Sequence, residues 1–157
     1  MKQVVVIGLD SASWNILMPW IKEGALPTFN RLLRKGVYGY LRSSDPPVSL
    51  PAWKCYSTGK NPGKLGVYCF VGIDKETKDM KVHTGADFKQ KEIWDYLSDN
   101  GIKSCVINMP GTYPPKEIDG IMISGMPFVG PNYTYPEWFM KELNKLGYKV
   151  EPEISPG

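Results

Sequence analysis

Apolar positions along the chain switch between two spacings, and the switching predicts strands alternating with helices. Val4 to Leu9 is a continuous apolar run closed by Asp10, which reads as a buried strand. Trp14, Ile16, Leu17, Trp20 and Ile21 then recur at roughly helical spacing, with Ser11 or Ser13 placed as a cap. A second helix starts at Leu26-Pro27, puts Phe29, Leu32 and Leu33 on one face and stops at Gly36. Val37 to Leu41 reads as a second strand. The proline-rich stretch 45–51 is a loop entering a helix around 51–58, and 59–66 is rich in turn residues. A third strand is expected over 67–73 and an exposed polar turn over 74–81. Ile93, Trp94 and Leu97 mark a helix that ends at Asn100-Gly101. Strands follow at 104–107 and 118–124, then a helix over 136–146 closed by Gly147. Tyr148 to Val150 begins one more strand. The order predicts an α/β fold, a mainly parallel sheet flanked by helices. No internal repeat or low-complexity tract interrupts it.

Composition narrows the class. The 157 residues fit one domain spanning 1–157, and 42% of them are hydrophobic, enough for a core. Mean hydropathy is −0.28, and a net charge of +3 is only mildly basic. The lysines are scattered, which argues against nucleic acid and suits a small anionic substrate. Cys55, Cys69 and Cys105 show no C-x-x-C spacing and read as reduced thiols. The first apolar run is too short for a signal peptide, and nothing approaches the roughly 20 apolar residues of a membrane span. A cytoplasmic location is the expectation.

The candidate chemistry centres on two positions. Ser49 stands two residues before Pro51, a proline suited to the first turn of a helix. A hydroxyl there meets an anionic group where unpaired N–H groups favour it. Asp10 stands at a strand end, where ligands gather in open α/β sheets. Together they suggest a metal-assisted nucleophilic site, although a loop serine and a helix-capping aspartate would give the same pattern. Trp53, one turn on, either stacks on a leaving group or belongs to the core. Lys54 and Lys60 are candidates for phosphate contact, with solvated surface lysine as the plainer alternative. Asn108, at a strand end, is a candidate rim residue or a turn residue before Pro110-Gly111. His83, the one histidine, reads as a surface residue. Gly59 to Leu65 fails the phosphate-loop pattern, with three residues between its glycines and Leu65 where Ser or Thr would hold magnesium.

Five segments carry a family resemblance: I-G-L-D at 7–10, L-P-T-F-N-R-L at 26–32, P-P-V-S-L-P-A-W at 46–53, T-G-K-N-P-G-K at 58–64 and I-N-M-P-G-T-Y-P-P at 107–115. In this order they resemble the N-terminal part of the type I phosphodiesterase/nucleotide pyrophosphatase branch of the alkaline phosphatase superfamily. The resemblance implies an alkaline-phosphatase-like fold and two divalent metal ions, zinc in the first instance with manganese or magnesium as alternatives. It implies Asp10 as a metal ligand and Ser49 as both nucleophile and metal ligand. It also implies hydrolysis of phosphodiester or pyrophosphate bonds through a phosphoseryl-type intermediate. Trp53, Lys54 and Asn108 are the candidate substrate contacts. Asp10 and Ser49 are then expected close together at the carboxyl edge of the sheet.

Three departures touch the phosphate-oxygen contact and nucleotide specificity. Ala52 stands where many of these enzymes have Asn, Leu65-Gly66-Val67 where they have His-Gly-Ile, and Tyr68-Cys69-Phe70 where a phosphate-holding Asn falls. A single histidine is also too few for the family's two-metal site. The chain therefore reads as incomplete at its C-terminus, the remaining ligands coming from a further segment, with self-association of the piece expected. Other readings are a sulfatase, disfavoured by Trp53 in the place of its arginine, a phosphomutase of the same superfamily, and a non-catalytic binding or assembly module.

Overall fold

The computed structural model describes residues 3–127 and 130–150. The expected features of the tail, Ile154 to Gly157, lie outside them. The chain divides into two compact units, Met1–Arg42 and Ser43–Gly157.

The first unit holds two helices, α1 (Trp14–Lys22) and α2 (Pro27–Lys35). Both fall where the apolar spacing put them. Ser13 is the N-cap of α1, and Pro27 opens α2, where its missing N–H costs nothing. The indole of Trp14 donates to the Gly39 carbonyl at 2.8 Å and meets Tyr38 edge-on, 5.4 Å between centroids. That contact fixes the start of α1 beside the 37–41 run. Neither expected strand forms here. Residues 3–9 and 37–41 have no regular secondary structure, and Val4, Ile7, Val37 and Leu41 are exposed. An apolar β-branched run has the right side chains for a strand, but a strand also needs a neighbour to take its backbone N–H and C=O groups.

The second unit begins with α3 (Ser49–Thr58), ended by Gly59 in the left-handed conformation, and the short α4 (Pro62–Leu65). Leu50, Leu65, Val67 and Phe88 form its first core cluster. β1 (Val71–Ile73) and β2 (Met80–Val82) make an antiparallel hairpin, so part of the expected polar turn is strand. Asp74 shapes that turn by accepting from the Glu76 and Thr77 amides. A 3₁₀ turn, Gly85–Asp87, follows.

Next come α5 (Ile93–Asp99), β3 (Ser104–Met109), β4 (Gly120–Ser124), β5 (Thr134–Tyr135) and α6 (Phe139–Lys145). β3 pairs parallel with β4, and β4 antiparallel with β5. The mainly parallel sheet expected from sequence is therefore corrected: among the described residues the sheets have two and three strands and are partly antiparallel. No strand forms at Tyr148 to Val150. Trp94, Ile118 and Met122 form a second core cluster under this sheet.

Candidate functional site

The parallel pair β3–β4 sends its carboxyl ends toward the loops 109–112 and 125–127, and these loops are tied together. Thr112 donates through its hydroxyl to the Met109 carbonyl at 2.6 Å and accepts from the Gly125 amide at 3.0 Å. Ser124 Oγ donates to the Thr112 carbonyl, and the Gly111 amide to the Met126 carbonyl at 2.7 Å. The first bond closes the loop after β3 and the other three cross to the end of β4, so the edge is a braced platform.

Helix α3 lies against that platform by its N-terminal half. Gly111 has φ +73, and a Cβ there would come within 2.6 Å of Leu50 Cδ1 and 2.9 Å of Lys54 Cε. Only glycine permits this approach. Leu50 is fully buried and follows Ser49 directly. Ser49 is the first residue of the helix, half-buried, and not two residues ahead of it as the proline suggested. Pro51 fits inside the first turn because the N–H it lacks has no partner within the helix. The N-cap is Val48, whose side chain offers the first amides no acceptor. The result is a hydroxyl at the positive end of a ten-residue helix, beside strand ends that gather ligands in α/β proteins.

Lys54 is placed differently from either reading of it. It is 1% exposed, and its ammonium contacts Glu92 Oε1 at 2.7 Å and lies 4.7 Å from the Phe88 ring centroid. Burial holds its pKa below the ordinary lysine value, and the Glu92 carboxylate opposes only part of that. An ammonium expected at substrate or in solvent is held by a buried carboxylate instead.

Asn108 is exposed at the end of β3, at a register shift between Ile107 and Met109, with φ 54. Such bulges re-aim side chains, and they recur beside active sites. Its side-chain oxygen accepts from the Tyr148 hydroxyl at 2.8 Å. Trp53 is half-buried and meets Tyr56 edge-on at 6.1 Å. Lys60 is half-buried near the end of the same helix. His83 is not a surface residue: its side chain is 13% exposed and packs on Gly72, where a Cβ would collide with Nε2. Asp10 is exposed and lies in the first unit, ahead of α1.

Sequence reading missed Glu92, which is 1% exposed and the N-cap of α5. Its amide donates to Asp95 Oδ2 at 2.7 Å, so the E-x-x-D spacing ahead of an apolar helix was a visible signal. Nothing in that spacing announced that Glu92 itself would be buried.

Among the described residues no group of three or more His, Cys, Asp or Glu side chains gathers where it could hold a metal ion. The oxygen donors Asp10 and Ser49 suit a hard cation, but the described residues do not by themselves make a full donor set. No helix among them is long and apolar enough to cross a membrane.

A family model, type I phosphodiesterase / nucleotide pyrophosphatase, matches residues 4–152. No curated protein and no solved structure matches the chain. The family acts on phosphoester substrates and is generally divalent-metal dependent. The matched span contains the platform, the helix that rests on it and all five proposed site residues, and the chain belongs to the type I phosphodiesterase / nucleotide pyrophosphatase family.

Proposed function

We propose that the chain supplies the nucleophile of a metal-dependent phosphodiester or pyrophosphate hydrolase, with Ser49 attacking phosphorus. The observation that carries the reading is the seat of Ser49 at the first position of α3, whose next residue packs on the loop after β3. The Ser49 oxygen forms a bond to phosphorus as the bond to the leaving oxygen breaks, and water then releases the phosphoryl group. The helix end favours the anionic group held beside the hydroxyl. A serine hydroxyl is a weak nucleophile unaided, and the divalent-metal dependence general to the family is the source of activation in this reading. Asp10 is proposed as a metal ligand. Trp53 is proposed to line the leaving-group side, and Asn108 to stand at the rim.

The test is Ser49→Ala in the full-length protein loaded with zinc, manganese or magnesium and assayed on an aryl phosphodiester. Removing a covalent nucleophile closes the two-step route. The expected result is loss of turnover with an unchanged melting temperature, and a phosphoryl adduct on Ser49 in the rapidly quenched wild type. Retained turnover in the alanine variant would reduce Ser49 to a helix-start residue. A wild type that neither turns over substrate nor retains metal would support the non-catalytic module instead.

A further inference from the structure

Helix α3 is held from behind by a buried charge network that the proposed chemistry does not use. Glu92 sits at its centre. Its Oε1 receives the Lys54 ammonium at 2.7 Å and the Ser57 hydroxyl at 2.8 Å, both from α3. Its Oε2 receives the Lys116 ammonium at 2.9 Å, from the segment joining β3 to β4. Lys116 also reaches Asp95 Oδ2 at 3.1 Å, one turn into α5. Lys54 and Glu92 are each 1% exposed. Burial alone would lower the pKa of Lys116, and the bonds to Glu92 and Asp95 outweigh it, so Lys116 is held as a cation.

A buried ion pair is a poor device for stability alone. Desolvation offsets much of the attraction, and apolar replacements of similar volume are often as stable. What the pair fixes is geometry, because two cations and a hydroxyl must meet opposite oxygens of one carboxylate. Here the carboxylate joins three segments: α3, the start of α5 and the β3–β4 connection. Lys54 follows Ser49 by five residues, about 7.5 Å along the helix axis. The same lysine's methylenes touch the Gly111 loop.

We propose that Glu92 is a positioning residue: by gripping Lys54 and Ser57 of α3 with one oxygen and Lys116 with the other, it sets where Ser49 stands over the carboxyl ends of β3 and β4. The role of Ser49 in this statement rests on the function proposed above. The placement of α3 does not.

The experiment compares wild type, Glu92→Gln, Glu92→Asp and the paired variant Lys54→Met/Glu92→Met in the full-length protein. Hydrogen exchange is read over α3 and over α6, and kcat and KM on an aryl phosphodiester. Glu92→Gln keeps the shape and removes the charge. Exchange over α3 should quicken by about tenfold with α6 unchanged, local opening being independent between such units. kcat should fall by about 10²-fold with KM nearly constant, since a small misplacement of a reacting group costs that much. The methionine pair should regain the melting temperature without regaining kcat. Full recovery of kcat in that pair, or equal quickening over α3 and α6, would overturn positioning and leave Glu92 a stabilising residue. If Glu92→Gln does not fold, Glu92→Asp decides: it keeps the charge but retracts it by one methylene, and unchanged α3 exchange would refute the proposal. If wild type shows no turnover, the nucleophile reading fails, while the contrast between α3 and α6 still tests what Glu92 holds.

Discussion

Gly111→Ala tests whether the loop after β3 really bears on α3. Gly111 has φ +73, and its missing Cβ would lie 2.6 Å from Leu50 Cδ1 and 2.9 Å from Lys54 Cε. Two costs follow. A left-handed backbone costs an alanine roughly 1–2 kcal/mol. Forcing a methyl group into a packed contact costs about 1–3 kcal/mol more, because Leu50 is fully buried and has nowhere open to go. The sum is about 2–5 kcal/mol. At about 2–4 °C per kcal/mol for a chain of this size, the melting temperature should drop by about 4–20 °C. Gly59 supplies the control: its φ is +67, but nothing lies within 4 Å of its added Cβ. Gly59→Ala should lose only the backbone share, about 1–2 kcal/mol. Melting curves by circular dichroism, run on both variants side by side, give the comparison. The variants should also part in activity. Displacing Leu50 moves Ser49, so Gly111→Ala should lose kcat by about 10²-fold while Gly59→Ala stays near wild type. Equal losses of melting temperature in the two variants would refute the reasoning, since they would show that the backbone conformation matters and the approach of loop to helix does not.

Two further outcomes follow from the second unit. Asp87 accepts from Lys81 Nζ at 2.6 Å and from the Thr84 amide at 2.8 Å; burial would raise its pKa, but these bonds outweigh it and hold the carboxyl below its ordinary value. Its stabilising share is therefore present above about pH 3.9 and lost as pH falls through the lowered value, so Asp87→Asn should flatten the acid limb of melting temperature against pH, and an unchanged limb would count against the bonds. Met122 is fully buried beside Trp94 and Ile118; Met122→Ala should cost about 2–5 kcal/mol in urea unfolding, and a loss under 1 kcal/mol would mean that this cluster is not a tight core.

The helices were legible because their signals are local. Pro27 opens α2 and Gly36 closes it, Gly59 ends α3, and Asn100-Gly101 ends α5, each within a turn of where the spacing put it. The parallel pair was legible for a different reason: 104–107 and 118–124 are apolar runs bounded by turn residues, and both acquire partners inside the same unit. The runs 4–9 and 37–41 have equally strong side-chain signals, yet a strand is a relation between two segments, and no composition records whether the second exists. The hairpin was half seen for the opposite reason. Met80 and Val82 alternate with Lys81 over only three residues, which is too short a stretch to distinguish from a turn without its partner Val71–Ile73. The site divides the same way. The helix start at Ser49 was legible to within two residues, because Pro51 marks a first turn. The meaning of Lys54 was not, because a lysine's surroundings depend on what folds over it, here a carboxylate 38 residues away. A single sequence names the residues able to do chemistry where local geometry exposes them; it leaves unnamed those, like Glu92, whose part is to hold other segments in place.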